Sequence, residues 1–146
     1  MKREEIEASV HENLDAWNRQ DAAGTVEMIA PDCLYIDNNT EVRGRDEIRA
    51  NTQAYFDAFP DLHLEIDRTH IDGDTILQEW RSSGTHKGDL MGIPATNRRT
   101  EVRGVSINEF GSDGLVHRSL LCWDTAKLLQ DIGVLPAPTD SSATVS

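Results

Sequence analysis

The sequence predicts an α+β domain in which helices come first and a strongly curved antiparallel sheet follows. Up to about residue 60, apolar residues recur at the spacing of helical turns, and after it they alternate with polar residues as in strands. No repeat or change of composition marks a boundary, so we expect one domain over residues 1–135 and a flexible polar tail over 136–146. The helices are expected to cover the concave face of the sheet and to leave a pocket between the two layers.

Three helices are predicted before the sheet. The first covers residues 3–19, and its apolar face consists of Ile6, Val10, Leu14 and Trp17. A short second helix over 22–29 is expected to stop at Pro31, because proline lacks the amide hydrogen that a helix needs. A third helix over 45–59 is ended by Pro60.

The remaining elements are strands, apart from one closing helix. A first strand over residues 33–37 leads into the turn residues Asn38-Asn39-Thr40. Later strands run from residue 62 to an Asp72-Gly73 turn, over 75–84, over 100–110 and over 115–123, with Asp113-Gly114 turning the last hairpin. A loop over 87–97 joins the middle strands, and a helix over 125–132 closes the domain.

Composition limits the partners and the location. The net charge of -12 disfavours nucleic acid and anionic membranes, because phosphate binding needs clustered lysine and arginine. No apolar run is long enough to span a bilayer and no signal peptide is visible, so we expect a cytoplasmic protein without a membrane partner. Cys33 and Cys122 lie in apolar strand-like runs, which favours two buried thiols over a disulfide.

The sequence predicts neither a metal nor a cofactor. The five histidines lack the spacing of a metal site. No phosphate-binding glycine loop, nucleophile elbow or dinucleotide fingerprint occurs. Chemistry must therefore come from single polar side chains placed in an apolar pocket.

Several motifs occur in the order typical of one protein family. They are Trp17-Asn18-Arg19-Gln20-Asp21, Pro31-Asp32-Cys33-Leu34-Tyr35-Ile36-Asp37, Gly44-Arg45-Asp46-Glu47-Ile48, Gly84-Thr85-His86-Lys87-Gly88, Met91-Gly92-Ile93-Pro94-Ala95-Thr96-Asn97-Arg98-Arg99, Asp113-Gly114, Trp123-Asp124 and Leu128-Leu129-Gln130-Asp131-Ile132-Gly133. Together, over about residues 5–135, they resemble SnoaL-like polyketide cyclases, or ester cyclases, of the nuclear transport factor 2-like superfamily, which is related to ketosteroid isomerase.

The resemblance implies a specific architecture. It implies a cone-shaped, cystatin-like fold in which a curved antiparallel sheet wraps around the N-terminal helices. It also implies an apolar small-molecule ligand, no cofactor, and a homodimer or higher homo-oligomer. The outer sheet face, with Arg103, Val105, Ile107 and Leu120, is the expected partner surface.

Asp37 is the first candidate catalytic residue. Period-two alternation places Cys33, Tyr35 and Asp37 on one strand face. The segment over 30–37 resembles the ketosteroid isomerase segment that ends in the catalytic aspartate, which implies a general base next to a substrate carbonyl. The alternative is an aspartate that caps the Asn38-Asn39 turn.

Two further positions resemble oxyanion-stabilising positions of the superfamily. Ser106 falls where SnoaL-like cyclases carry a histidine, and its hydroxyl can donate one hydrogen bond to a developing oxyanion. The alternative is an ordinary strand serine on a face of small residues, with Val102, Gly104 and Asn108. Asn13 falls where ketosteroid isomerases carry an oxyanion-binding tyrosine, and it can also donate.

His117 is a candidate auxiliary acid, because alternation places it on the strand face of Ser119 and Leu121, which we expect in the pocket. The alternative is a solvent-exposed histidine beside Arg118. Leu121 itself occupies the position of the catalytic aspartate of SnoaL-like aldol cyclases. Since leucine cannot transfer a proton and Ser106 replaces the histidine, the cyclase acid–base pair is absent.

Large aromatic side chains are expected to form the pocket wall rather than to catalyse. They are Trp17, Tyr35, Tyr55, Trp80 and Trp123, of which some should line the cavity and some should lie in the core. Asp124 directly precedes the closing helix and is predicted to be its N-cap, with an active-site acid as the alternative.

The sequence thus predicts a cofactor-independent lyase, isomerase, cyclase or hydrolase that acts on an apolar, carbonyl-bearing molecule with Asp37 as base. It leaves open a non-catalytic binding or oligomerisation module that has lost the cyclase residues.

Overall fold

The computed structural model describes residues 1–137, which contain four helices and six strands. The helices are α1 (Arg3–Asn18), α2 (Ala22–Thr25), α3 (Arg45–Ala58) and α4 (Thr125–Asp131). The strands are β1 (Ile29–Asp37), β2 (Thr40–Arg43), β3 (His63–Asp72), β4 (Thr75–Thr85), β5 (Arg99–Phe110) and β6 (Val116–Trp123). Of the predicted tail over 136–146, the part from residue 138 onward lies outside the described residues.

The six strands form one sheet in the order β2-β1-β6-β5-β4-β3. Neighbouring strands are antiparallel except β1 and β6, which run parallel. The predicted α+β class and the curved antiparallel sheet after residue 62 are confirmed. The short strand β2 and the parallel pairing were not predicted, because β1 and β6 lie far apart in the sequence and no local pattern indicates their pairing.

The second helix is shorter than predicted. It ends at Thr25, and β1 already begins at Ile29, so the prediction of a helix over 22–29 is wrong at its end. Pro31 lies inside β1, where the register with β6 shifts between Ile29 and Leu34. A proline is tolerated at such an irregularity because it has no amide hydrogen to offer a regular ladder.

The loop between β4 and β5 is fixed to the end of α3. The amides of Lys87 and Gly88 donate to the carbonyl oxygen of Ala58 at 2.9 and 3.1 Å. A Cβ atom at Gly88 would lie 2.2 Å from the carbonyl oxygen of Asp57, so only glycine permits this approach. The buried ring of His86 completes the anchor, because its Nδ1 atom lies 2.9 Å from the Thr96 hydroxyl.

Two apolar clusters hold the helices on the concave face of the sheet. The first joins α1, α3 and the sheet through Ile6, Val10, Tyr35, Ile48, Ile76 and Val116. The second joins α3, α4 and β5 through Phe56, Phe59, Val102, Leu128 and Ile132. Each helix buries the apolar stripe of an amphipathic sequence, which supplies most of its stability.

The two cysteines have different environments. Both thiols are free, and Cys33 is buried as predicted. Cys122 is exposed, so the prediction of two buried thiols is wrong for this residue. Alternation explains the difference, because Leu121 and Trp123 face the cavity and Cys122 therefore points to the opposite sheet face.

No helix within residues 1–137 combines the length and the apolar character needed to cross a membrane.

Candidate functional site

A cavity of about 140 Å³ lies between the concave sheet face and helices α1 to α3, with contacts to both apolar clusters. This volume has room for on the order of ten water molecules. Side chains face it in rows across the sheet, because residues paired between strands project to the same side. One row joins Asp37, Leu121, Ser106 and Gln78.

The Asp37 carboxylate lies at the cavity wall and is only 6% exposed. Its Oδ1 accepts a hydrogen bond from the indole nitrogen of Trp123 at 2.6 Å. Its Oδ2 accepts one from the Tyr55 hydroxyl at 2.7 Å and a longer one from the Asn51 amide at 3.4 Å. These donors come from β6 and α3 and fix the carboxylate in one orientation.

The turn after β1 is held by Asn38 and not by Asp37. The Asn38 amide donates to the Thr125 hydroxyl at 2.7 Å, and its oxygen accepts from the backbone amide of Trp123 at 2.8 Å. The Asp37 side chain therefore does not cap this turn, which was the alternative to a catalytic role. Asp37 is instead directed at the cavity.

Asn51 is a site residue that the sequence analysis missed, and Tyr55 was expected only as an aromatic ring of the pocket wall or core, not as a donor to Asp37. They lie four residues apart on α3 and therefore project from one helix face. The pKa of Tyr55 is raised, first by burial and then by the negative charge of Asp37, so its hydroxyl keeps its proton and remains a donor. The available signal was the i, i+4 spacing of two polar residues beside the buried Thr52.

Asp37 is the only formally charged side chain among the described residues that line the cavity. The other lining groups are apolar or neutral, and no lysine, arginine or histidine of the described range joins them. Within residues 1–137, no cluster of three histidine, cysteine, aspartate or glutamate side chains is arranged to hold a metal ion. The arrangement can thus move a proton, but it offers no counter-charge to an anion.

Ser106 lies in the cavity wall, as expected. Its Oγ accepts a hydrogen bond from the indole nitrogen of Trp80 at 2.8 Å, which leaves its own O–H to donate. Gly104 makes this contact possible, because a Cβ atom there would lie 2.3 Å from the Trp80 ring. The small residues on this strand face therefore allow the Trp80 indole to pack against the strand, and they also leave room for a ligand.

A model of the SnoaL-like polyketide cyclases matches residues 9–132. The chain belongs to this family. No sequence among the curated proteins matches it.

Solved structures support the same fold. AclR from Streptomyces galilaeus, described as a candidate hydroxylase, is 27% identical with a TM-score of 0.86, covering 97% of this chain and 89% of AclR. TsrD from Streptomyces laurentii is 26% identical with a TM-score of 0.83, and the match covers 92% of this chain and 99% of TsrD. A third structure is a protein with a ketosteroid isomerase-like fold from Catenulispora acidiphila, in complex with trimethylamine. It is 18% identical with a TM-score of 0.75, and the match covers 89% of this chain and 97% of that protein. At this identity it shows the fold alone.

At two positions this SnoaL-like protein departs from the cyclase pattern that the sequence resemblance implies. Leu121 faces the cavity between Asp37 and Ser106, at the position that resembles the cyclase aspartate. Neither Leu121 nor Ser106 can act as the general acid or base of that pattern. Asp37 is therefore the one carboxylate that the SnoaL-like cavity offers within the described chain.

His117 does not reach the cavity, and the prediction that it shares the face of Ser119 and Leu121 is wrong. Glu109 pairs with Arg118 and Phe110 with Val116, so His117 is the extra residue of a bulge. The bulge interrupts the alternation of β6. The His117 side chain is 45% exposed, and its Nε2 lies 2.9 Å from Asp113.

The remaining predicted site residues line the cavity, and one predicted cap is confirmed. The lining set includes Asn13, Trp17, Tyr35, Trp80, Ser119 and Trp123. Asn13 already donates to the Thr25 carbonyl at 2.7 Å, which fixes α1 to α2. Asp124 caps α4, because its Oδ1 accepts from the Lys127 amide at 3.0 Å.

Proposed function

We propose that this SnoaL-like protein is a cofactor-independent acid–base enzyme that acts on a neutral, apolar, carbonyl-bearing molecule, with Asp37 as the general base. The observation that supports this proposal most is the placement of Asp37. Among the described residues it is the single charged group of an otherwise neutral cavity wall, and three donors orient it. A fixed, water-poor carboxylate is suited to proton abstraction, since its orientation is not lost at the moment of reaction.

The proposed step is proton abstraction next to the carbonyl. An Asp37 oxygen takes the proton from the α-carbon, the C–H electron pair forms the new carbon–carbon double bond, and the carbonyl oxygen becomes an enolate. The same carboxylic acid can return the proton to another carbon, which gives isomerisation, or to a leaving oxygen, which gives elimination. In a ring closure the enolate carbon attacks a second carbonyl carbon of the substrate, the C=O electron pair of that carbonyl moves to its oxygen, and the carboxylic acid protonates that oxygen. The family and the cavity support all three outcomes equally.

Ser106 is the proposed donor to the enolate oxygen. Its O–H is available because Ser106 Oγ only accepts, from Trp80, and donates to no group of the described residues. Ser106 and Asp37 are separated in the sheet by the single strand β6, or about 10 Å between backbones. An α-carbon, a carbonyl and two hydrogen-bonded side chains fit this span. Asn13 and the aromatic residues Trp17, Tyr35, Trp80 and Trp123 bind the apolar body.

The substrate is proposed to be uncharged. A carboxylate or phosphate in this cavity would lose its hydration, meet no cation and approach Asp37. An ester, ketone or lactone carries the carbonyl that the step needs without that cost.

The competing function is a non-catalytic binding module, which the loss of the cyclase pair at Ser106 and Leu121 favours. Exchange of the α-protons of 2-tetralone, an apolar bicyclic ketone, in deuterated buffer separates the two functions. An enzyme with Asp37 as base accelerates exchange and loses the acceleration in Asp37→Asn, whereas a binding module gives only the buffer rate. Because AclR is described as a candidate hydroxylase, oxygenated products belong in the same assay.

A homodimer is proposed through the outer sheet face. On this face Val105, Ile107 and Leu120 remain partly accessible, and Arg103 and Cys122 are exposed. An apolar strip with a charged neighbour is a common protein-contact surface. Sedimentation equilibrium of the wild type and of Ile107→Glu tests it, since a monomeric wild type at high concentration contradicts the proposal.

A further inference from the structure

One row of the cavity wall carries buried polar side chains that the proposed step does not use. Ser119 on β6 pairs directly with Asn108 on β5, and Tyr35 on β1 pairs with Ser119 on the other side. Their exposed fractions are 2%, 6% and 6%. All three line the cavity, beside the buried apolar Ile76 of the same row.

None of these three side chains has a hydrogen-bond partner in the described part of the protein. Their hydroxyl and amide groups make no hydrogen bonds to side chains or backbone there. Among residues 1–137, only His86 Nε2 is a side-chain polar atom that is both unpartnered and sealed from any open space. The polar atoms of Ser119, Asn108 and Tyr35 therefore open onto the cavity.

Unpaired buried polar groups are costly unless something binds them. Leaving a buried donor or acceptor without a partner destabilises a protein, so such groups are rare in cores. An apolar wall would serve an apolar ligand better at this place. Thr52 on α3, 1% exposed, adds a further hydroxyl to the cavity wall. A row of buried polar groups without protein partners is suited to a ligand that supplies those partners.

The chemistry of the row selects a neutral partner. The Asn108 amide both donates and accepts, and the two hydroxyl groups do the same. The pKa of Tyr35 is raised, first by burial and then by Asp37, so its phenol keeps the proton and stays neutral. A hydroxyl or carbonyl oxygen satisfies these groups, whereas an anion finds no cation.

We propose that Ser119, Asn108 and Tyr35 form a second polar subsite, which binds a neutral hydroxyl or carbonyl group of the substrate. The subsite lies two residues along the strands from the row of Asp37 and Ser106, which is about 7 Å. The substrate thus carries two oxygen functions about 7 Å apart on an apolar body. The position of the reacting group rests on the proposed function, whereas the subsite is tested by binding alone.

The test compares two probes that differ by one hydroxyl group, 2-acetylnaphthalene and 6-acetyl-2-naphthol. Quenching of tryptophan fluorescence reports their binding, because Trp17, Trp80 and Trp123 are all the tryptophans of the chain and all line the cavity. The wild type should bind the naphthol about three- to tenfold more tightly, which corresponds to one net hydrogen bond.

In Asn108→Leu and in Ser119→Ala, this gain in affinity for the naphthol over 2-acetylnaphthalene should fall to less than about twofold. Both variants should still bind 2-acetylnaphthalene. Ser82→Ala is the matched control, since it removes a hydroxyl group elsewhere in the cavity wall and should keep the gain. Circular dichroism melting shows whether each variant folds, and two independent variants protect the test against one that does not.

Three outcomes overturn the subsite. The first is a gain that persists in both Asn108→Leu and Ser119→Ala. The second is a gain lost only in Ser106→Ala, which places the hydroxyl group at the reacting row. The third is a wild type that binds neither probe or binds both equally. A different result separates the two proposals. If the wild type does not accelerate 2-tetralone exchange but still binds 6-acetyl-2-naphthol more tightly than 2-acetylnaphthalene, and this preference depends on Asn108, only the proposed catalysis is contradicted.

Discussion

The indole nitrogen of Trp123 lies 2.6 Å from Oδ1 of Asp37, so the last residue of β6 orients the last residue of β1. The two residues are brought together by the parallel pairing of these strands. Tyr55 from α3 holds the other carboxylate oxygen and stands edge-on to the Trp123 ring, with centroids 6.2 Å apart. A helix and two strands thus meet at one carboxylate.

The Tyr55 hydroxyl should stabilise the fold through Asp37. Tyr55→Phe removes only this oxygen and should lower the free energy of unfolding by about 1.5–3 kcal/mol, because a hydrogen bond to a buried carboxylate is lost. Tyr35→Phe is the matched control, since the Tyr35 hydroxyl has no partner in the described residues, and it should cost less than about 0.5 kcal/mol. Urea unfolding of the two variants measures both values, and equal losses would contradict the role of Tyr55.

Tyrosine ionisation should be coupled to unfolding. Tyr35 and Tyr55 are the only tyrosines of the chain, and burial followed by the charge of Asp37 raises the pKa of both. Since a raised folded-state pKa means that the folded protein holds the proton more tightly, the stabilisation is complete below about pH 10 and is lost at higher pH.

The measurement is the ultraviolet absorbance of tyrosinate, followed together with circular dichroism as pH rises. Both signals should change together, at a pH well above the pKa of a free tyrosine. A tyrosinate signal at about pH 10 with intact circular dichroism would show that these phenols are not buried beside a charge.

The two thiols should react at very different rates. Cys122 is exposed, whereas Cys33 is buried, and desolvation followed by the charge of Asp32 raises the pKa of Cys33 to about 11. Since the thiolate is the reactive form, a thiol reagent at neutral pH, applied to Ile107→Glu so that the proposed dimer face is open, should label Cys122 quickly and Cys33 only on unfolding. Cys122→Ser should remove the fast phase completely. A fast phase that survives in this variant is the opposing result.

Gly104→Ala should disturb the Trp80–Ser106 contact. The new methyl group would lie 2.3 Å from Trp80, so the indole must move away from Ser106. We expect a loss of about 1–3 kcal/mol of stability and a shift of tryptophan emission, since Trp80 leaves its place in the cavity wall. Gly73→Ala is a control without a clash, although its positive φ of 59° adds some strain. Unchanged emission in Gly104→Ala would argue against this packing.

Local patterns predicted the helices and hairpins well, because helical periodicity and Asp-Gly turns act over a few residues. The same patterns could not place the donors to Asp37, since Trp123 is 86 residues away and Tyr55 is 18. The prediction for His117 was wrong because of a single bulge near the start of β6. The extra residue of the bulge interrupts the alternation, so counting back by twos from Ser119 no longer gives the cavity face. Asp37 itself was proposed because the segment over 30–37 resembles the ketosteroid isomerase segment that ends in the catalytic aspartate. Uninterrupted alternation from Cys33 then gave its strand face correctly.

The central claim is that the Asp37 carboxylate abstracts a proton. Asp37→Asn preserves the shape of the side chain and removes the base. Asp124→Asn is the matched control, since asparagine caps α4 about as well as aspartate and Asp124 lies outside the cavity. Both variants should bind 2-tetralone within a few-fold of the wild type, as judged by tryptophan quenching.

The most direct measurement is the rate of α-proton exchange of 2-tetralone in deuterated buffer, followed by proton NMR for the wild type and both variants. Exchange with Asp37→Asn should be slower than with the wild type by a factor of about 10² to 10⁴, while Asp124→Asn should match the wild type. Wild-type exchange at the buffer rate, or full exchange in Asp37→Asn, would contradict the central claim.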